Sequence, residues 1–165
     1  MITPDYVRVL AAYNSEMNRR LYAAAGRLSD EERRRDRGAF FGSIHRTLNH
    51  LLWADQMWMS RFDGWEKPSV SGQESTTWVE DFDGLHRRRV ETDAKLEAWA
   101  EGMTSSSLQG DLTWFSGGSN REMTKLRSLL VVHLFNHQTH HRGQVHAMLT
   151  AAGEATGDTD LPWVV

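Results

Sequence analysis

The sequence predicts an all-α protein: a four-helix bundle with a long crossover connection and a small hairpin before the last helix. The main observation is that four long segments carry apolar residues at helical spacing, with no series of repeating strands between them. The second is the length of 165 residues, which suits one domain with a real core. We therefore expect a single helical domain spanning residues 1–165.

The first helix begins at Thr3-Pro4-Asp5. Thr3 can cap the helix, Pro4 occupies the first turn where its missing N–H does no harm, and Asp5 is favourable at the positive end of the helix dipole. The helical pattern continues to Gly26. Residues 29–32 then form a capping-box pattern, which predicts a short polar helical turn that ends near Gly38.

The second long helix is predicted to begin after a Ser43 cap and to end at Gly64. Its stripe consists of Ile44, Leu48, Leu51, Asp55, Trp58 and Phe62. His50 lies on the flank of this stripe, so periodicity alone does not identify it as a ligand. Asp55 lies near the centre, where an unpaired carboxylate costs several kcal/mol. We favour a structural pair with Arg142 or a tryptophan N–H over a catalytic role.

Residues 65–76 are rich in Ser and Gly and contain a Lys-Pro pair, which is typical of a connection. The connection is long, so we expect it to carry the chain across the molecule or over a site. Thr76 or Thr77 is then predicted to cap a third helix that reaches Gly102, with Arg89 or Val90 among its inward positions. Residues 105–122 have strand character, and the Gly-Gly pair predicts the small hairpin.

The last long helix, residues 125–152, contains five of the eight histidines. One face combines Leu126, Leu130, His133, Leu134, His137, His141, Gln144, Val145 and Met148. Imidazole nitrogens on a core-facing stripe need hydrogen-bond partners or a metal. The tail from Gly153 to Val165 ends in apolar residues, which we expect to pack against the bundle.

His137 and His141 are four residues apart, the spacing by which a helix presents two imidazoles to one cation. The alternative is a pair of core histidines that carboxylates or backbone groups satisfy. A third ligand must come from elsewhere, and the candidates are His50, His133 and His45.

His133 lies one turn before His137, but three ligands at successive turns of one straight helix extend over ~12 Å, which is too far for one ion. His133 is therefore expected to line a pocket or to be a satisfied core histidine. His140 and His146 are expected at the surface or at the rim of a site, with His146 on the opposite side of the helix.

Composition excludes several classes of function. There is no cysteine, so disulfides and thiolate metal sites are excluded, and any metal must be held by nitrogen and oxygen. The net charge of −3 and the pI near 6.2 give no reason to expect nucleic-acid or anionic-lipid binding. No signal sequence or membrane span is apparent, so a cytoplasmic protein is expected.

Three blocks, at residues 41–62, 135–145 and 159–164, resemble the DinB family of damage-inducible-type proteins. The resemblance implies a four-helix bundle of the DinB/YfiT-like type in which three histidines hold a divalent metal, one from the second long helix and two from the fourth. At the matching positions of this sequence, the ligands implied by the resemblance are His50, His137 and His141. It also implies a homodimer, for which Trp53 lies off the core stripe and can serve an interface.

Three neutral histidines and an open position suit a catalytic zinc site, and nickel, iron or manganese accept the same ligands. Zinc or nickel is the primary expectation. By resemblance to the thiol-dependent branch of the superfamily, which includes mycothiol-dependent isomerases and bacillithiol transferases, the expected activity is transfer of a low-molecular-weight thiol cosubstrate to a small electrophile.

Two alternatives stay open. One is a hydrolase that uses metal-bound water, with Asp55 or a histidine as the proton acceptor. The other is a non-catalytic stress protein that binds a metal or a small ligand. Asp55 and Gln144 are the candidate catalytic residues, and Gln144 lies one turn beyond His141 on the ligand face. Asn136 and Tyr13 are further polar groups that can line a pocket.

Overall fold

Four long helices form the body of the structure, a computed structural model that describes residues 1–165. The elements in chain order are α1 (Pro4–Arg27), α2 (Asp30–Arg34), α3 (Ile44–Phe62), α4 (Phe82–Glu101), β1 (Asp111–Ser116), β2 (Arg121–Leu126), α5 (Arg127–Ala151) and α6 (Leu161–Val164). The strands form an antiparallel hairpin directly before α5, with Trp114 opposite Met123. The helical bundle and the small hairpin of the sequence prediction are therefore both present.

Side-chain caps begin three of the long helices. Thr3 accepts a hydrogen bond from the backbone N–H of Tyr6 at 3.2 Å, and Ser43 accepts one from Arg46 at 3.3 Å, as the sequence predicts. The predicted Thr76 or Thr77 cap for the third long helix is wrong, because Asp81 caps α4.

The reason lies in the contact that precedes the helix. Asn49 of α3 accepts a hydrogen bond from the Val79 N–H at 2.8 Å and donates one to the Val79 carbonyl at 3.1 Å. Both backbone groups of Val79 are thus engaged by another helix. A short 3-10 helix at Gly72–Glu74 and a turn at the threonines therefore precede Val79, and the long helix begins only after Asp81.

The helices follow each other around the bundle in the order α1, α4, α3, α5. Phe62 and Trp99, near the carboxyl ends of α3 and α4, stack with ring centroids 6.0 Å apart, so these two helices run parallel. Val7 at the start of α1 packs in the same apolar cluster as Phe62, which makes α1 antiparallel to both. Because α3 and α4 are parallel neighbours, residues 63–81 run the length of the bundle, as the predicted crossover requires.

The core has two apolar clusters with a polar layer between them. One cluster surrounds the first half of α1 and includes Val7, Phe62 and Leu134, and the other surrounds its second half and includes Leu21, Leu48 and Val145. The layer between them contains Asn14, Asn18, Asp55, Arg89, Asp93, Gln138 and Arg142, all buried. Of the two residues predicted as inward positions of α4, Arg89 is the buried one, with 2% exposure, whereas Val90 is 58% exposed.

The tail does not pack as its apolar residues predict, since Trp163 is 76% exposed. Polar contacts hold it instead: the Tyr13 hydroxyl donates to the Thr159 carbonyl at 2.6 Å, and Arg27 pairs with Glu154 at 2.6 Å. α6 has only four residues, too few to bury an apolar face of its own. None of the helices combines the length and apolar character that crossing a membrane requires.

Candidate metal centre

Three histidines converge where α3 packs against α5. His50 comes from α3, and His137 and His141 come from successive turns of α5. Each residue offers one ligand atom, and these three atoms all lie within 4.8 Å of one another. The Nε2 atoms of His50 and His137 are 3.2 Å apart. Tetrahedral coordination at the usual Zn–N distance places ligand nitrogens ~3.3 Å apart, so the spacing fits a single transition-metal ion.

The connection between α3 and α4 orients His50. Its Nδ1 lies 3.0 Å from Ser75 Oγ, and that hydroxyl donates its own hydrogen to the Gly72 carbonyl at 2.7 Å. Ser75 Oγ can therefore only accept from His50, which makes Nδ1 the protonated ring nitrogen. The lone pair is left on Nε2, the atom that faces His137.

Gln144 orients the His141 ring, since its Oε1 lies 2.9 Å from His141 Nδ1. An amide oxygen only accepts, so Nδ1 of His141 carries the hydrogen and Nε2 carries the lone pair. Such outer hydrogen bonds fix the ring orientation of metal-ligating histidines. The third ring differs, because Nδ1 of His137 is buried without a hydrogen-bond partner.

The cluster favours neutral imidazoles. Burial, with a smaller contribution from the neighbouring imidazoles, lowers the pKa of His137 to about 3 and the pKa of His50 to about 4. Burial also lowers the pKa of His141, although its hydrogen bond to Gln144 opposes the shift. A metal binds the unprotonated nitrogen, so at neutral pH these rings are in the ligating form.

Aromatic side chains enclose the cluster. The Phe41 ring centroid lies 4.2 Å from that of His50 and 5.2 Å from that of His141, and Trp53 stacks on His50 at 6.2 Å. Sequence reasoning did not identify Phe41 or Ser75 as part of the site. Both lie in irregular segments, where helical periodicity carries no signal.

The other histidines lie outside the cluster. His45 is buried and its Nε2–H donates to the Val79 carbonyl at 3.1 Å, so it is a satisfied core residue on that nitrogen. His133 is exposed and its ring lies 5.8 Å from that of His137. His140 is exposed, and Nδ1 of His146 lies 2.7 Å from the Thr156 hydroxyl.

Asp55 belongs to the buried polar layer. Its Oδ2 accepts from Arg89 at 2.7 Å and its Oδ1 accepts from Gln138 at 3.0 Å. The predicted structural pair exists, but the predicted partners, Arg142 and a tryptophan N–H, are wrong. Arg142 instead donates to Asn14 and lies over the Tyr13 ring. Which arginine reaches Asp55 depends on the packing of α4 against α3, which the stripe of one helix does not reveal.

The layer extends from Asp55 to a second carboxylate. Arg89 lies 2.8 Å from Asp93, which also accepts hydrogen bonds from Asn14 and Asn18. Burial raises the pKa of Asp93 to about 6 against the opposing charge of Arg89. Burial lowers the pKa of Arg142 to about 10. The layer thus holds two cationic and two anionic side chains.

Two polar residues expected to line a pocket do not contact the histidines. Asn136 is exposed, and Tyr13 bonds to the tail through its hydroxyl. Gln144 is the one candidate with a direct contact, and it acts on the orientation of His141.

A groove of about 1130 Å³ borders the cluster. Its walls are α3, the connection that follows it, and the hairpin, and they include Trp53, Trp58, Trp114, Arg61 and Lys67. Trp53 stacks on His50, and the Trp58 ring lies 5.2 Å from that of His133. The groove is therefore separated from His50 by the Trp53 side chain, and it is large enough for a small organic molecule.

The fold and the cluster together define a helical-bundle protein with a candidate three-histidine metal centre. The chain belongs to the DinB family, whose sequence model matches residues 1–165. Protein DinB of Bacillus subtilis (strain 168) is 26% identical over 163 residues, which cover 94% of this chain and 91% of that protein. The family resemblance seen in the three sequence blocks is thus confirmed.

A solved structure shares the fold. YfiT from Bacillus subtilis, described as a probable metal-dependent hydrolase with an unusual four-helix bundle topology, superposes with a TM-score of 0.63. The two chains are 13% identical, and the match covers 94% of this chain and 92% of YfiT.

Proposed function

We propose that the protein is a metal-dependent enzyme that holds one divalent transition-metal ion through His50, His137 and His141. The observation that carries the proposal is the common direction of the ring nitrogens. Hydrogen bonds from Nδ1 to Ser75 and Gln144 leave Nε2 of His50 and His141 free to ligate, and His137 Nε2 lies 3.2 Å from His50 Nε2. An all-imidazole set suits zinc or nickel.

A bound divalent ion at this site supplies Lewis acidity and makes a water molecule or thiol that it holds more acidic. The protein supplies the rest. Phe41 and Trp53 shield the ring nitrogens from solvent, and the groove beside them offers space for a second molecule. The chain has no cysteine, so a thiol nucleophile must arrive as a cosubstrate.

The preferred reaction is transfer of a low-molecular-weight thiol to a small electrophile, in line with the thiol-dependent branch that the sequence resembles. The second candidate is hydrolysis of a small substrate. It is favoured by the likeness to YfiT, described as a probable metal-dependent hydrolase, and by the exposed imidazole of His133 beside His137, which offers a proton acceptor near the cluster.

Metal content tests the site before any reaction is assayed. We expect elemental analysis of the purified protein to find about one transition-metal ion per chain, and His137→Ala to retain almost none. His146→Ala is the matched control, because it removes an imidazole from α5 that bonds to Thr156 and not to the cluster. Equal metal content in all three proteins would refute the assignment.

The metal-loaded protein then distinguishes the two reactions. A thiol transferase conjugates monochlorobimane only when a low-molecular-weight thiol is added. A hydrolase cleaves ester or amide substrates at the same rate with and without the thiol. Loss of either activity in His137→Ala, with retention in His146→Ala, assigns it to the site. Loaded protein with neither activity over a broad substrate panel would leave a metal-binding protein and overturn the enzymatic proposal.

A further inference from the structure

The groove beside the histidines has an unusual balance of charge. The whole chain carries 22 acidic and 19 basic residues, yet the residues that line the groove include Arg61 and Lys67 and no aspartate or glutamate. Neither basic side chain takes part in a salt bridge or a side-chain hydrogen bond in the structure. A positive groove in a net negative protein indicates a ligand that carries negative charge.

Arg61 is held in place by aromatic rings. Its guanidinium carbon lies 4.5 Å from the Trp58 ring centroid and 5.7 Å from the Trp114 ring centroid. Stacking of this kind orients the planar guanidinium and leaves its edge N–H groups free for an anion. Burial lowers the pKa of Arg61, since no carboxylate compensates for the lost solvent.

The same rings provide an apolar surface. Trp58 belongs to α3 and Trp114 to the hairpin, and their centroids are 5.6 Å apart in an edge-on arrangement. Phe115, the next hairpin residue, also lines the groove and is 61% exposed. An apolar or aromatic body can therefore lie along the groove while its anionic group meets Arg61.

Two tryptophans lie between the groove and the histidine cluster. Trp53 lines the groove and stacks on His50, and Trp58 contacts His133, which neighbours His137. A molecule anchored at Arg61 thus contacts tryptophans that themselves contact His50 and His133.

We propose that the groove binds the substrate as an organic anion with an aromatic or extended apolar body, whose negative group pairs with Arg61 and Lys67. This assignment rests on the proposed function, because it names the substrate class of the same site. Arg61 is the residue that mainly determines the preference for an anionic substrate, and Lys67 contributes a second, more exposed positive charge.

Calorimetric titration with two probes of one shape tests the proposal. The probes are 1-naphthoate and the uncharged 1-naphthalenemethanol, added to metal-loaded protein. We expect naphthoate to bind about tenfold more tightly, in keeping with a charge-assisted contact. Arg61→Gln should abolish this preference and leave the affinity for the alcohol unchanged, and Lys67→Gln should reduce it about threefold.

Arg88→Gln is the matched control. Arg88 also lies over a tryptophan, 5.1 Å from the Trp78 ring centroid, but it does not line the groove. The Arg88→Gln variant should therefore preserve the preference for naphthoate. Phe115→Leu provides a second variant, which should weaken both probes to the same extent because Phe115 lines the groove but does not stack on Arg61. Circular dichroism and thermal unfolding confirm that each variant is folded.

Three outcomes would overturn the groove assignment. They are equal binding of both probes, a preference that survives Arg61→Gln, and a preference that disappears in metal-free His137→Ala, since the anion would then bind the metal itself. By contrast, wild-type protein that holds no metal but keeps Arg61-dependent binding would refute the proposed metal enzyme and support the groove as an anion site. The two failures are thus distinguishable.

Discussion

The histidine cluster and the buried polar layer both include side chains of α3 and α5, but their polar atoms have different partners. In the layer, both oxygens of Asp55 accept hydrogen bonds from Arg89 and Gln138, and its charge is balanced within the protein. In the cluster, the outward ring nitrogens of His50 and His141 are bonded while their inner nitrogens face other imidazoles.

We interpret the layer as a set of polar groups that stabilise the packing of the helices, and the cluster as a set of polar groups that can bind a ligand. Burial of polar atoms is costly in both places. In the layer, opposite charges on Arg89, Asp55 and Asp93 offset much of this cost, although Arg89 Nε and Gln138 Oε1 have no hydrogen-bond partner. The following predictions, in order of decreasing expected effect, test whether the layer serves stability and the cluster serves metal binding.

Asp55→Ala should have the largest effect on stability. Removal of one partner of a buried ion pair leaves Arg89 without its closest counter-charge, which costs about 3–5 kcal/mol. Chemical denaturation measures this loss, and the folded protein should keep its metal. Asp30→Ala, which breaks an exposed pair with Arg34, should cost less than about 1 kcal/mol. Similar losses in the two variants would contradict a structural role for the layer.

Metal removal should have the next largest effect. A ligand present at 100 to 1000 times its Kd stabilises the folded state by about 2.7–4.1 kcal/mol. For a chain of this size, a chelator should therefore lower the Tm by about 5–15 °C. Differential scanning calorimetry measures the shift, and the chelator should leave the Tm of His137→Ala unchanged. A shift of the same size in that variant would place the metal elsewhere.

Gln144→Leu should weaken metal binding without preventing it. Loss of the acceptor at His141 Nδ1 frees the ring to change tautomer and orientation, which typically costs about tenfold or more in metal affinity. Titration calorimetry with Zn²⁺ measures the change. Gln109→Leu replaces an exposed glutamine far along the chain and should bind as wild type does. Wild-type affinity in Gln144→Leu would show that His141 is oriented by packing alone.

Lowering the pH from 7 to 6 should have the smallest effect on the stability of the folded protein. The pKa values of His50 and His137 are lowered to about 4 and about 3, below the ordinary 6.5. Their contribution to stability is therefore full above pH 6.5 and is lost as the pH falls toward 4 and 3, because the unfolded chain binds protons that the native rings do not. Each ring should contribute about 0.7 kcal/mol, so metal-free protein should lose about 3–5 °C of Tm between pH 7 and pH 6.

His137→Ala should show a shallower pH dependence than the metal-free wild type, since one of the shifted groups is absent. A flat profile in the wild type would mean that the imidazoles titrate as in the unfolded chain. That outcome would argue against lowered pKa values for the imidazoles of the cluster.

The prediction from the sequence succeeded where the information is local. Neighbouring residues determine the Thr3 and Ser43 caps and the Gly-Gly hairpin. The four long helices follow from apolar residues that recur with the helical period of 3.6 residues. The pairing of His137 with His141 also follows from spacing along one helix. The apolar tail and the cap of α4 were predicted incorrectly, because Tyr13, Arg27 and Asn49 from distant positions decide those conformations.

By itself, the sequence determined the helices, their capped starts, the absence of thiol ligands and the two imidazoles on one face of α5. Periodicity left His50, His45 and His133 open as the third histidine, and only the family resemblance pointed to His50, which the tertiary structure places beside the other two. Only the tertiary structure decided that Arg89 rather than Arg142 pairs with Asp55, and that Ser75 orients a ring. The physical reason is that periodicity describes one helix at a time. Contacts between helices depend on their order around the bundle and on their rotation, which the packing of the whole core sets.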